Sequence, residues 1–236
     1  MLFLCVLMLS FVARSTLHAS SIVVVAPNAN AATNGTTVQT GVFGEVVPKT
    51  FQTDFAASQL TSLIGDTITS IGYRIQANEA SVAGPVTIGG FSLELSGSAN
   101  AIGSLSTNQA ANIGANAEVV DSGTLVLSGL VGGPGPNPFF LINFTTPYLY
   151  SGGDLLVTES YSTSNATFGV DAVSVGSLID TSVSGGGFEL AEFYNAPVTE
   201  FVATTPTTSP IPEPSSLALL GTGVASLAGL LRKRFA

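Results

Sequence analysis

Fourteen of the chain's fifteen carboxylates fall between Glu45 and Glu200, and the pairs singled out among them are Asp154 with Glu159 and Glu189 with Glu192. Two carboxyls held about 5 to 10 Å apart are what a glycosidase needs, one as acid and the other as nucleophile or base. Calcium asks for the same hard oxygens, six to eight of them. Asp154 and Asp171, together with carbonyls of the Gly152-Gly153 turn, are the candidate ligands, yet no Asp/Asn ladder of EF-hand spacing accompanies them. Tyr148 and Tyr150 stand two apart, hence on one face of a strand, where their rings could stack on a sugar. Against all of these stands number alone: acids scattered this widely produce close pairs by chance, the tyrosines equally suit a core, and the chain has no Trp. No catalytic residue is assigned, and neither a metal nor a cofactor is expected.

The chemistry that needs an imidazole or a thiol is excluded more firmly. The chain has one Cys and one His, Cys5 and His18. Leu2 to Val12 is an apolar run of secretory length followed by small residues, with Leu17 and Ala19 at the −3 and −1 positions for a cut before Ser20. Residues 1–19 therefore read as a signal peptide, although no Lys or Arg precedes the run, and both Cys5 and His18 leave with it. Zinc sites built on Cys or His, Cys/His pairs and Ser/His/Asp triads are ruled out for the mature protein. Between Ser20 and Ala203 only Lys49 and Arg74 are basic, a net charge of −12 against the fourteen acids. Such a surface repels nucleic acid, because neutralising phosphates takes clustered Lys and Arg.

The body that must position any site, residues 20–203, is long enough for one domain with a sizeable core. Charged residues make up only 9% of the chain, so long helices held by Glu/Lys pairs are not on offer. Strand signals recur at Ile22–Val25, Thr37–Val47, Ile68–Ala77, Phe91–Leu95, Thr124–Leu127, Phe139–Phe144, Leu155–Glu159, Phe168–Val175, Phe188–Phe193 and Val198–Ala203. Phe91, Leu93 and Leu95 alternate with Ser92 and Glu94, as do Ile71, Tyr73 and Ile75 with Gly72 and Arg74, the period of a half-buried strand. Gly/Pro-rich breaks separate them, among them Gly132-Gly-Pro-Gly-Pro-Asn-Pro138 and Gly185-Gly-Gly187. The pattern predicts an all-β fold, an antiparallel β-sandwich or jelly roll in a single domain. Asp54–Ile64 has mixed spacing compatible with a short helix, and Thr107–Ala117 reads as a long loop.

The tail changes character. Residues 204–214 hold four Pro in eleven, an extended spacer that cannot join a sheet. Residues 215–231 form an apolar stretch whose uncharged core, Leu217 to Leu231, spans about 22 Å as a helix at roughly 1.5 Å per residue. With flanking serines and snorkelling basic residues it can just cross a bilayer as a transmembrane helix. Arg232, Lys233 and Arg234, in the basic tail 232–236, are the membrane stop signal and stay cytoplasmic, with the body on the far side. Gly221, Ala225 and Gly229 recur every four residues and give a helix-packing face of small side chains.

The triplet Pro212-Glu213-Pro214, followed at once by this Gly/Ala/Leu-rich helix and the basic cluster, resembles the PEP-CTERM sorting signal of exported bacterial proteins. The resemblance implies processing near Pro212, Glu213 and Pro214 by exosortase, a membrane-embedded cysteine transpeptidase. It also implies a membrane-anchored precursor delivered to the cell surface or extracellular matrix of an exopolysaccharide-producing bacterium. Ser106–Leu125 and Thr146–Val157 are loosely similar to extracellular β-sandwich domains of other proteins with this signal, which brings no activity with it. Two functions stand at this point: a structural or adhesive matrix protein, favoured by the missing Trp, His and Cys, and a carbohydrate-binding module or carboxylate-based hydrolase acting on exopolysaccharide.

Overall fold

The computed structural model describes residues 20–206, apart from 41, 44–45, 186–187 and 192–194, and for residues 188–191 the backbone only. The expected signal peptide, transmembrane helix, basic tail and Pro-Glu-Pro triplet lie outside the described residues. Within them the chain forms fourteen strands. In order these are β1 (Ser21–Ala26), β2 (Thr37–Gln39), β3 (Lys49–Phe55), β4 (Thr67–Tyr73), β5 (Val86–Gly97), β6 (Glu118–Leu127) and β7 (Phe140–Leu149). They continue as β8 (Leu155–Tyr161), β9 (Thr163–Ser164), β10 (Val170–Ser174), β11 (Ile179–Gly185), β12 (Phe188–Ala191), β13 (Asn195–Pro197) and β14 (Thr199–Thr204). The possible helix at Asp54–Ile64 is two short 3-10 turns, Ala57–Gln59 and Thr61–Leu63. No helix among the described residues is long and apolar enough to cross a membrane.

All the strand pairs are antiparallel, and the fold is all-β. Where the sequence suggested two sheets, the strands make three: β1-β14-β4-β7, a small β13-β10-β2, and a large one ordered β12-β11-β3-β8-β5-β6 with β9 beside β5. The large sheet and the four-stranded sheet bury their inner faces against each other. Phe55 of β3 meets Phe201 of β14 edge-on, ring centroids 5.1 Å apart at 89°. Phe43, in the connection before β3, is fully buried and sits among Tyr73, Phe91, Phe140 and Phe168, with centroids 5.5 to 6.5 Å away. Offset and edge-to-face packing of this kind adds about 0.5–1.5 kcal/mol per pair to the burial of the rings. One open end is tied where the Thr145 hydroxyl of β7 donates to the Val120 carbonyl of β6 at 3.0 Å.

The alternation read from the sequence is visible in β5: Phe91, Leu93 and Leu95 are buried in the core, while Ser92 and Glu94 face outward and are half-buried. The strand changes register between Ile88 and Phe91, where Gly90 has φ +59°, a left-handed conformation that a side chain would strain.

The outer face of the large sheet is unusual in being covered by polar chain. Gln52, Asp54, Asp180 and Ser182 point away from the core yet are at most 1% exposed, because segment 98–113 lies over them. Asn112, fully buried, donates to Gln52 Oε1 at 2.8 Å and to the Ser106 carbonyl at 2.9 Å. Its own oxygen accepts from Ser106 N at 2.7 Å and from Asn100 Nδ2 at 2.8 Å, so its whole hydrogen-bonding capacity is used. Gln109 donates to the Thr50 carbonyl at 3.1 Å, and Ser184 donates to Gln109 Oε1 at 2.6 Å. Burying amides without partners would cost about 1–3 kcal/mol each, so the network holds this segment in one position.

Candidate functional site

Asp154 and Glu159, one of the two pairs singled out by spacing, are separated by the fold and committed to structure. Asp154 precedes β8 and accepts the Ala57 amide at 2.8 Å, capping the 3-10 turn that follows β3. Glu159, five residues on, points into the core, fully buried, and accepts the Tyr73 hydroxyl from the opposite sheet. A pair with one member at the sheet's end and the other sealed in the interior gives substrate no common approach. The side chains of Glu189 and Glu192 lie outside the described residues.

Asp171 is the partner of Arg74, and both are 1% exposed. The Arg74 guanidinium reaches Asp171 Oδ2 through Nη2 at 2.7 Å and Nε at 2.8 Å, and Nη2 also donates to the Thr33 and Asn30 carbonyls at 2.5 and 3.1 Å. Both Asp171 oxygens accept the Gly35 amide, at 2.9 and 3.0 Å. A Cβ on Gly35 would fall 2.1 Å from the Ala172 carbonyl oxygen, so only glycine lets the chain come this close to β10. Arg74 also lies 4.9 Å over the Phe139 ring. One of the body's two cations is thereby spent on fastening the loop 28–35 to β4 and β10, and Asp171 is taken up with it rather than held open for calcium.

Tyr148 and Tyr150 do share a face, as their spacing required, and that face is the inner one. They are 4% and 2% exposed and belong to the core, so their rings are not presented to a ligand. The Tyr150 hydroxyl donates to the Gly153 carbonyl at 2.5 Å, and burial with the nearby Asp154 charge pushes its pKa up to about 12.

What sequence reasoning missed is the burial of two acids, Glu159 and Asp54. Burial pushes Glu159 up to about 8, with the Tyr73 hydrogen bond working in the opposite direction, so near neutrality it is largely protonated. Asp54 faces Asp180 directly across β3 and β11. It accepts the Ser98 hydroxyl at 2.8 Å, while Asp180 accepts the Gly103 and Thr181 amides at 3.1 and 2.7 Å. Burial is the main reason Asp54 rises to about 7; the Asp154 and Asp180 charges add to it and Ser98 opposes it. Like charges directly opposite in a sheet repel, and a proton on one member relieves the pair. Among the described residues no group of three Asp, Glu, His or Cys is placed to hold a metal ion.

The strongest functional signal lies in the tail. Residues 210–234 match the model of the PEP-CTERM protein-sorting motif. The chain carries a PEP-CTERM motif. Such a motif directs export and membrane-anchored sorting, with processing by an exosortase. The matched span includes Pro212, Glu213, Pro214, Gly221, Ala225, Gly229, Arg232, Lys233 and Arg234, all outside the described residues. Neither a curated protein nor a solved structure matches the chain.

Proposed function

We propose that the chain is an exported surface or extracellular-matrix protein whose β-body has a structural or adhesive role in the envelope or biofilm and catalyses no reaction. The PEP-CTERM motif at residues 210–234 carries this reading, since it determines how the protein is delivered. Its support from the body is that three of the candidate acids are spent internally: Asp154 on a cap, Asp171 on Arg74, Glu159 in the core. A body of net charge −12 whose exposed polarity comes mainly from hydroxyls and amides suits display in a hydrated polymer matrix. The precursor is held by the helix within residues 215–231 and released or transferred after cleavage near Pro212-Glu213-Pro214.

The test is mass spectrometry of the C-terminal peptide from cells with and without an exosortase, combined with cell fractionation. The expected mature chain lacks Leu217–Leu231 and is found at the surface or in the matrix. Native surface protein still ending in Phe235-Ala236 would overturn the processing, and reducing sugar released from exopolysaccharide by the purified protein would overturn the non-catalytic role.

A further inference from the structure

The outer face of the large sheet carries a row of hydroxyls that runs across the strands. The register places Ser184 of β11 opposite Thr50 of β3, Thr50 opposite Ser160 of β8, Ser160 opposite Ser92 of β5, and Ser92 opposite Ser122 of β6. Residues directly opposite share a face, so the five hydroxyl side chains stand in one line on five neighbouring strands. Ser184, Thr50, Ser160 and Ser92 are half-buried and Ser122 is exposed; the segment that covers Gln52 and Asp54 reaches the row only at its Ser184–Thr50 end, through Gln109. Among the described residues, the hydroxyls of Thr50, Ser160, Ser92 and Ser122 have no hydrogen-bond partner, whereas Ser184 donates to Gln109.

The row has a recess at one end. A depression of about 320 Å³ is lined by Thr50, Ser160 and Ser184 of the row together with Ser162, Gly90 and Gly185. A second, of about 460 Å³, continues from Ser184 along Thr107, Asn108 and Gln109. The second is walled chiefly by hydroxyls and amides, whereas the first adds Pro48 and Tyr161 to its hydroxyls and glycines. Lys49 also lines the first, and it is 6% exposed.

We propose that this row and its recess are a docking track for a single extended chain of neutral polysaccharide; the inference rests on the adhesive part of the function proposed above. Strands lie about 4.8 Å apart, so the row offers one hydroxyl roughly every pyranose ring over a length of about 19 Å. No member of the row is charged, which leaves nothing to recruit an anionic polymer against the body's net −12. The sheet's twist decides between a chain and a flat crystalline surface. At about 20–25° per strand, four steps turn the row through roughly 80–100°, which a flexible chain can follow and a crystal face cannot. The track thereby moves the carbohydrate-binding role away from Tyr148, Tyr150, Asp154 and Asp171 to residues that no catalytic or metal-binding pattern marks.

The test is isothermal titration of the detergent-solubilised full chain with cellohexaose and isomaltohexaose as neutral probes, a hexameric alginate as the anionic one, and the matching trisaccharides. Binding of at least one neutral hexamer, tighter than its trimer, is expected, with at least tenfold loss in Thr50→Val/Ser92→Ala/Ser160→Ala at an unchanged unfolding midpoint. Should that variant unfold, Thr50→Val alone, which keeps the side chain's shape, should still weaken binding two- to threefold. No binding of either neutral hexamer at millimolar concentration, equal binding by the variants, or alginate binding as tightly as the glucans would overturn the proposal. Processing is read separately from the mass of the mature C-terminus, so a failure of sorting and a failure of glycan binding are distinguishable.

Discussion

Tyr73 of β4 donates its hydroxyl to the carboxyl of Glu159 of β8, a hydrogen bond that crosses the interior from one sheet to the other with both residues at most 1% exposed. Burial and the neighbouring Glu159 raise the tyrosine's own pKa as well, so the pair is most stable with both protons in place. The second Glu159 oxygen is buried without a partner among the described residues.

The first prediction follows from the direction of these shifts. Glu159, held at about 8, and Asp54, at about 7, keep protons in the folded state that the unfolded chain gives up near pH 4. Their stabilisation is therefore fully present below about pH 4 and lost as pH rises toward 7 to 8. Each group contributes a slope of up to about 1.4 kcal/mol per pH unit, large against a total stability of roughly 5–15 kcal/mol. Denaturant titrations from pH 4 to pH 9 should show stability falling, and Glu159→Gln should flatten the slope between pH 5 and pH 8. An unchanged slope in that variant would remove Glu159 from the account.

The second concerns Arg74. Its removal leaves the Asp171 carboxylate buried and unpaired, which should cost about 3–5 kcal/mol in Arg74→Ala. Arg74→Lys should recover only part of this, because an ammonium lacks the planar fork that reaches Asp171 and the loop carbonyls together. Chemical denaturation measures the loss, and limited proteolysis should place the first new cuts in residues 28–35.

The third tests the core. Phe43→Ala should destabilise by about 3–5 kcal/mol, the range for emptying a buried aromatic site. An unfolding free energy within about 1 kcal/mol of the parent would show that the four surrounding rings close over the gap.

The fourth concerns the tail. Replacing Arg232, Lys233 and Arg234 by Ser should impair anchoring and slow processing, since the positive cluster fixes orientation. Protease protection of the precursor and the rate at which the mature form appears are the readouts; normal orientation and rate would show that the cluster is not the stop signal.

The fifth is an expected indifference to chelators. A bound structural calcium would raise the unfolding midpoint by mass action, so EDTA should leave the midpoint unchanged if none is held. A drop of several degrees would point to an ion.

Much of the fold could be read from alternation, because in strands such as β5 the polar side faces outward and the apolar side faces the core. β3 and β11 escaped that reading for a specific reason. Their outward residues Gln52, Asp54, Asp180 and Ser182 are buried under segment 98–113 by hydrogen bonds rather than by apolar contact, and in Lys49-Thr-Phe-Gln-Thr-Asp-Phe55 the inward face alternates Phe51 and Phe55 with the polar Lys49 and Thr53, which weakens the period. For Tyr148 and Tyr150 the period placed them together but could not say which side faced the core. Glu159 stood out only as half of a carboxylate pair; its neutral form could not be read, since it depends on the low-dielectric surroundings that long-range packing creates. The hydroxyl row is likewise invisible in one dimension: its members are scattered from Thr50 to Ser184 and become neighbours only through the register.

The position of β14 has a consequence for the order of events in export. It lies between β1 and β4, pairs along its whole length with β1, and just beyond it Thr205 still donates to the Ser20 carbonyl at 3.2 Å. In a chain threaded through a translocon N-terminus first, β1 emerges at the start and waits for a partner that emerges last. Contacts this distant in sequence form slowly, and here they cannot form until nearly all of the body has crossed. The strand that completes the sheet also stands immediately before the spacer and the sorting motif. A product truncated ahead of β14 lacks both a closed sheet and an address, so retention at the membrane selects for chains that already contain everything needed to fold.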